Sequence, residues 1–88
     1  MNFELSEYQQ ALLNKQVSSV KFYKVGVKTT VALLTANNGF EIVGTSACVN
    51  PDDFNEPIGQ HFALVDALNE LDGFIGFVRQ QESFKAGE

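Results

Sequence analysis

The stretch Lys28–Asn50, KTTVALLTANNGFEIVGTSACVN, decides the fold. Lys28 to Ala36 is rich in β-branched and apolar residues, as a strand requires. Asn37-Asn38-Gly39 interrupts it, and Asn-Gly is the strongest short hairpin signal, because both centre positions of the tight turn need positive φ. Phe40 to Val49 then alternates Phe40, Ile42 and Gly44 against Glu41, Val43 and Thr45, which reads as the next strand. Its far end is unusual. Gly44, Ser46 and Ala47 are small where a strand normally places bulk. Small side chains expose backbone, which makes sense if a partner strand or a ligand comes close there. Pro51 stops the strand from extending.

Upstream, Val17 to Val25 alternates in part, and Gly26 marks a turn before Lys28. This gives a three-stranded antiparallel meander. A short helix over about residues 5 to 15 precedes it, with Ser6 and Gln9 at capping-box spacing and Leu5, Tyr8 and Leu12 near one face. Three turns are marginal alone in water, so this helix must dock. A long helix over about residues 55 to 81 follows. Asn55 is placed to cap it, Glu56 suits its positive end and Pro57 is tolerated in its first turn. Ile58, Phe62, Val65, Leu68, Leu71, Ile75 and Val78 form one apolar stripe. Gly73 and Gly76 each weaken that helix by up to about 1 kcal/mol, so they end it, kink it or admit another backbone. The fold class is α+β, with the long C-terminal helix packed on the sheet. One domain is expected from 88 residues, with an ordered core over about residues 5 to 81 and frayed ends at 1 to 3 and 83 to 88.

In the middle strand Val31, Ala32, Leu33 and Leu34 are all apolar, so both sheet faces want cover. The long helix covers one face and the short helix is expected to cover part of the other. A second chain would complete the job, and Phe74 and Phe77 lie off the main helix stripe. A homodimer or larger assembly is the expectation.

Charge narrows the function. The net charge is −5, which repels a phosphate backbone and argues against nucleic-acid polymers and anionic membranes. One Cys and one His form no internal disulfide and cannot fill a four-ligand zinc site. No long apolar run or basic leader is present, so a cytosolic protein is expected, without cofactor or metal.

Ser46, Cys48, His61 and Asp66 are the available nucleophile-and-base material, but their spacing matches no nucleophile elbow or cysteine-protease signature. Non-enzymatic chemistry is the reading. Asp66, Glu70 and Asp72 read as the wet face of the long helix, and Asp52 and Asp53 as support for a turn. Phe40, Asn50 and Phe54 are of more interest. An aromatic face and an amide suit a purine ring, one stacking and the other bonding an edge. Phe40 and Asn50 would lie about 30 Å apart along one strand, so they share a pocket only across a chain boundary. The plainer reading makes Phe40 and Phe54 plugs at the ends of the core. Lys28 and Arg79, with Lys15, Lys21, Lys24 and Lys85, are the groups available to a phosphate, although lysines at a sheet edge often serve only to block aggregation.

The run Thr29-Thr30-Val31, Asn38-Gly39-Phe40, Gly44, Ser46-Ala47-Cys48, Asn50-Pro51, Phe54 and Ile58-Gly59 resembles a widespread family of small phage proteins named for gene product forty-nine of a coliphage. The same strand–loop–helix pattern is similar to the β-rich part of the phage sponge proteins that defeat Thoeris immunity. That resemblance implies a phage anti-defence protein in the cytoplasm of the infected bacterial host. It would bind a cyclic ADP-ribose isomer, a cyclic nucleotide-derived signalling molecule, without cleaving it, at a junction between subunits. It implies a stacking role for Phe40 and a polar contact for Asn50. Two departures stand out. Related sequences carry Arg or Lys in the first turns of the long helix, whereas Gly59 to Asp66 here contains none, so either Lys28, Arg79, backbone amides or His61 serve the phosphates or the ligand differs. The sponges also carry an additional helical hairpin for which this chain has no room. The alternative is an inhibitor or adaptor that engages a host defence protein through its acidic surface.

Overall fold

A computed structural model describes residues 4–86. The chain runs α1 (Glu7–Gln16), β1 (Val17–Val25), β2 (Thr29–Ala36), β3 (Glu41–Ala47), a 3₁₀ turn (Pro51–Asp53) and α2 (Glu56–Ala86). The sheet is an antiparallel meander in the order β1-β2-β3, and α2 packs across β2 and β3. The α+β architecture is the expected one.

Local chemistry sets the boundaries. The Ser6 hydroxyl accepts from the Gln9 amide at 3.1 Å, and the Gln9 side chain accepts from the Ser6 amide at 2.9 Å, so the capping box forms. α1 passes directly into β1. The β2–β3 hairpin departs from the tight two-residue turn. Only Gly39 has positive φ, at 89°, and its N–H donates to Ala36 O at 2.9 Å, which closes a three-residue loop. Asn55 caps α2, its Oδ1 accepting from the Ile58 amide at 3.1 Å. α2 runs on to Ala86, past its expected end near residue 81, so Gly73 and Gly76 do not stop it. Of the ends expected to fray, 83–86 are helical, while 1–3 and 87–88 lie outside the described residues.

The core lies between α1, α2 and one sheet face. Leu12, Leu34, Ile42, Ala67, Leu68 and Leu71 form the buried cluster, with Leu5, Leu13, Val20, Leu64 and Ile75 packed around it. Leu34 and Leu68 are the largest fully buried side chains, and burying each favours folding by about 1.5–3 kcal/mol. Because Leu12 joins the same cluster, α1 and α2 share one face. The expectation that α1 covers the second face is therefore wrong. That second face carries Val31, Leu33 and Thr35 of β2 half-exposed, with Tyr23 and Val43 about half exposed beside them.

Leu68, Leu71 and Ile75 of the expected apolar stripe face the core, but the stripe's first and last parts turn away from it. Phe62 and Val78 are about half exposed, whereas Ala63 and Ala67 are fully buried. The reason is distance. A Cβ added to Gly44 would overlap the Ala63 carbonyl oxygen and the Ala67 amide, and lie 2.7 Å from the Ala67 Cβ. A Cβ on Gly59 would lie 2.5 Å from Thr30 Oγ1. The contact is made backbone to backbone, so only small residues fit. The approach expected at Gly44 thus exists, and the chain's own α2 makes it. Gly73 and Gly76 have nothing within 4 Å of an added Cβ.

Two expectations follow. Gly44→Ala must push helix and sheet apart and should cost about 3 kcal/mol. Gly73→Ala, on an open helix surface, should instead gain up to about 1 kcal/mol. Urea unfolding of the two variants beside the parent measures both, and equal behaviour would refute the packing assigned to Gly44. The second concerns Tyr8, whose hydroxyl donates to Asp72 on α2. That hydrogen bond, then burial and the Asp72 charge, raise the Tyr8 pKa above its ordinary value, while Arg79 opposes the shift. A raised folded-state pKa favours the protonated phenol. Its contribution is complete below the unfolded tyrosine value of about 10 and disappears as pH rises through the higher folded one. Tyr8→Phe should flatten the alkaline end of the stability–pH curve, which thermal unfolding across that range will report.

Candidate functional site

The five candidate ligand residues separate into two groups at opposite ends of the sheet. At the β2–β3 hairpin, Phe40 and Arg79 line an open groove of about 580 Å³ between the turn, the end of α1 and the middle of α2. At the other end, Lys28 and Phe54 line a smaller pocket of about 220 Å³ beside the start of α2, with Asn50 on the adjoining turn. The separation inferred along β3 is real. Within one chain the structure does not bring Phe40 and Asn50 together.

Phe40 is positioned by its turn. Its amide donates to Asn38 Oδ1 at 3.0 Å and its carbonyl accepts from Ala36 at 2.8 Å. Its ring meets Phe74 of α2 edge to face, with centroids 5.4 Å apart and planes at 76°. This geometry suits the ring quadrupoles and fixes the orientation. Phe40 nevertheless stays 51 % exposed and opens onto the groove. Arg79 lies exposed on the groove wall, and the rest of the lining is chiefly apolar, from Leu71, Phe74, Ile75, Phe77 and Val78, with Asn37 and Asn38 as polar groups at the turn. Sequence reading placed Phe40 and Arg79 but missed Phe74 as the support of Phe40. Phe74 sits off the main apolar stripe, and nothing in its spacing points to the hairpin.

At the opposite end, Lys24 Nζ lies 4.5 Å above the Phe54 ring, a cation–π contact. Lys28 Nζ donates to Val49 O at 3.1 Å. Asn50 caps the 3₁₀ turn, its Oδ1 accepting from the Asp52 amide at 3.0 Å, so the amide nitrogen is the group left for a ligand. Asp52 and Asp53 support the turn, as expected. Thr30, 3 % exposed, presses against Gly59, and its hydroxyl has no hydrogen-bond partner among the described residues.

The candidate nucleophile and base groups serve other contacts. Ser46 and Cys48 line the smaller pocket, and the Cys48 thiol donates to Asn50 O at 3.2 Å. Asp66 Oδ2 accepts from the Thr45 amide at 2.9 Å. His61 meets Phe62 edge to face at 5.1 Å. Of the acidic trio on α2, Asp66 and Glu70 are exposed and Asp72 is partly buried, and two of the three also hold contacts, Asp66 to β3 and Asp72 to Tyr8. No group of three or more His, Cys, Asp or Glu among the described residues is placed to hold a metal ion. No helix among them is long and apolar enough to cross a membrane.

Neither the curated proteins nor the solved structures contain a match to this chain. The model of the Phage protein (N4 Gp49/phage Sf6 gene 66) family matches residues 7–82, from α1 to the last turns of α2, and the chain therefore belongs to that family of phage proteins.

Proposed function

We propose that this phage protein sequesters a small nucleotide-derived immune messenger of the cyclic ADP-ribose type, without cleaving it, in the cytoplasm of the infected bacterial host. The observation that carries this reading is the groove at the hairpin, where a half-exposed, well-held aromatic ring shares one cleft with an exposed arginine. A purine stacks on Phe40 while Arg79 meets a phosphate. The volume, about 580 Å³, falls in the range of small-molecule sites. The net charge of −5 does not oppose this, because charges more than about 8 Å away are largely screened at physiological salt. A single arginine in the cleft then outweighs the distant carboxylates. It offers little to a long polyanion, which would meet the whole acidic surface.

Asn50, Phe54 and Lys28 form the second half of the site. An aromatic ring and cations again lie together at the far end of the sheet, Lys24 over the Phe54 ring and Lys28 in the same pocket, with the Asn50 amide nitrogen to bond a base edge. The reading requires a homodimer or larger assembly in which the Phe40 end of one copy meets the Asn50 end of another.

The test is direct. The protein is produced in cells making a TIR-derived signal, purified and denatured with heat, and the released small molecules are weighed by mass spectrometry. An intact cyclic ADP-ribose isomer in near-stoichiometric amount is the expected result. An empty protein with the signal free in the lysate overturns this ligand class, and a linear product overturns holding without cleavage. Base–aromatic stacking contributes about 1–3 kcal/mol, so Phe40→Ala should weaken binding roughly ten- to hundredfold. Asn50→Ala should do the same if it bonds the base. Phe40 is half exposed, so its loss should leave the unfolding transition in place.

A further inference from the structure

Strand β1 is one edge of the sheet and lines neither of the two cavities. It contains no Pro or Gly, and beyond the irregularity between Val17 and Ser19 it pairs with β2 in unbroken register as far as Val25. The Ala36 amide donates to the Phe40 carbonyl and the Cys48 amide to the Lys28 carbonyl, so the even-numbered residues of β2 face β3 and the odd-numbered ones face β1. Ser19, Lys21, Tyr23 and Val25 therefore bond inward, and Val20, Phe22 and Lys24 turn their N–H and C=O groups out to the edge. Among the described residues nothing bonds to those outward groups. A regular row of this kind can take an added strand.

Charge says which strand. Residues 8–40 contain Lys15, Lys21, Lys24 and Lys28 and no Asp or Glu, although the chain as a whole is acidic. Carboxylates more than about 8 Å away are largely screened, so the lysines of this segment weigh most at β1. Lys24 Nζ is held over the Phe54 ring and Lys28 Nζ on the Val49 carbonyl, whereas Lys21 is exposed in mid-strand, on the open sheet face beside Leu33. Lys21 bonds inward, so a residue set opposite it on an added antiparallel strand is a non-hydrogen-bonded neighbour, with Cα atoms about 4.5 Å apart and side chains at their closest. On the other face Val20 packs against the core and Phe22 is partly buried, which favours apolar neighbours. The opposite edge, β3, carries no basic residue.

We infer that β1 takes an acidic strand of another protein into the sheet, antiparallel to itself. Val20, Phe22 and Lys24 supply the backbone bonds, carboxylates of the guest lie on the face of Lys21, and its apolar side chains lie beside Val20 and Phe22. Lysines at a sheet edge turn away a second, equally cationic β1, and they welcome a strand of opposite charge. A membrane surface fits less well. The hairpin tip exposes Val25 and Val27, but the lysines nearest to it, Lys24 and Lys28, are the two already held, and Asp53 shares the pocket of Lys28. The inference does not rest on the ligand reading, because β1 lies outside both cavities.

The probe is a fluorescent synthetic peptide of alternating Val and Glu, titrated into the full chain and followed by anisotropy. Saturable one-to-one binding is expected. Lys21→Glu, at an exposed position, should leave the unfolding transition in place, weaken this binding about tenfold or more, and reverse the preference toward a Val–Lys peptide. Backbone N-methylation separates strand addition from charge attraction alone. In the inferred register the Val residues of the peptide turn their amides to β1, so methylating those amides should abolish binding, and methylating the Glu amides should not. Equal binding by the two methylated peptides, or loss with methylated Glu instead of Val, overturns the inference. So does the absence of saturable peptide binding, whether or not the protein sediments with phosphatidylserine vesicles.

Discussion

Helix α2 lies so near the sheet that backbone meets backbone, and the rest of the structure follows from that approach. Gly44 faces the Ala63 carbonyl and the Ala67 amide with no room for a methyl group, and Gly59 rests on the Thr30 side chain. Small residues along one ridge of α2 (Gly59, Ala63 and Ala67) set the spacing. Larger side chains, Leu34, Ile42, Leu68 and Leu71, fill the space on the side toward α1. The helix is thereby anchored at its first half, and its second half is carried out beyond the sheet, past the hairpin that holds Phe40. The position of the groove is a consequence of this lever. Phe74 reaches Phe40 because the helix is fixed several turns earlier.

What could be read from the sequence divides along physical lines. Signals that act within a few residues were legible. The Ser6–Gln9 box, the Asn55 cap, the Gly26 and Asn37–Gly39 turns and the three strands all form, because each rests on hydrogen bonds between near neighbours. The face of α2 was legible only in part: Leu68, Leu71 and Ile75 of the apolar stripe do join the core. Hydrophobic periodicity assumes that the largest apolar groups point inward, so it selected Phe62 and Val78, both of which are exposed. Over the first half of the helix the closest contact is built from the small residues Gly59, Ala63 and Ala67, which a search for large apolar groups passes over. The second face of the sheet was misread for a related reason, since apolar residues on both sides of β2 reveal a need for cover and not which element supplies it.

Of the candidate residues, the wide separation of Phe40 from Asn50 was legible, and the two cavities lie where a ten-residue spacing along β3 puts them. The role of Phe74 was hidden, because it depends on where an overhanging helix passes a turn far away in sequence. The small residues at the end of β3 acquire a structural explanation at Gly44. Ser46 and Ala47 still border the smaller pocket beside Phe54 and Lys28. Packing against α2 and access to a pocket are thus served by neighbouring positions on one strand.

The bond from the Thr45 amide to Asp66 has a consequence of a different kind. Phe40 and Cys48 hydrogen-bond inward to β2, so the alternate residues of β3 direct their amides outward, along an unpaired edge. Such an edge is a template on which another chain can add a strand, and the exposed apolar face beside it would favour further stacking. The Asp66 carboxylate occupies the donor in the middle of that row. A single side chain, sent from the helix, leaves a carbonyl of an incoming strand without its donor and faced with a negative charge. The β3 edge, beside an open sheet face, is thereby guarded by one carboxylate that belongs to the packing of helix on sheet.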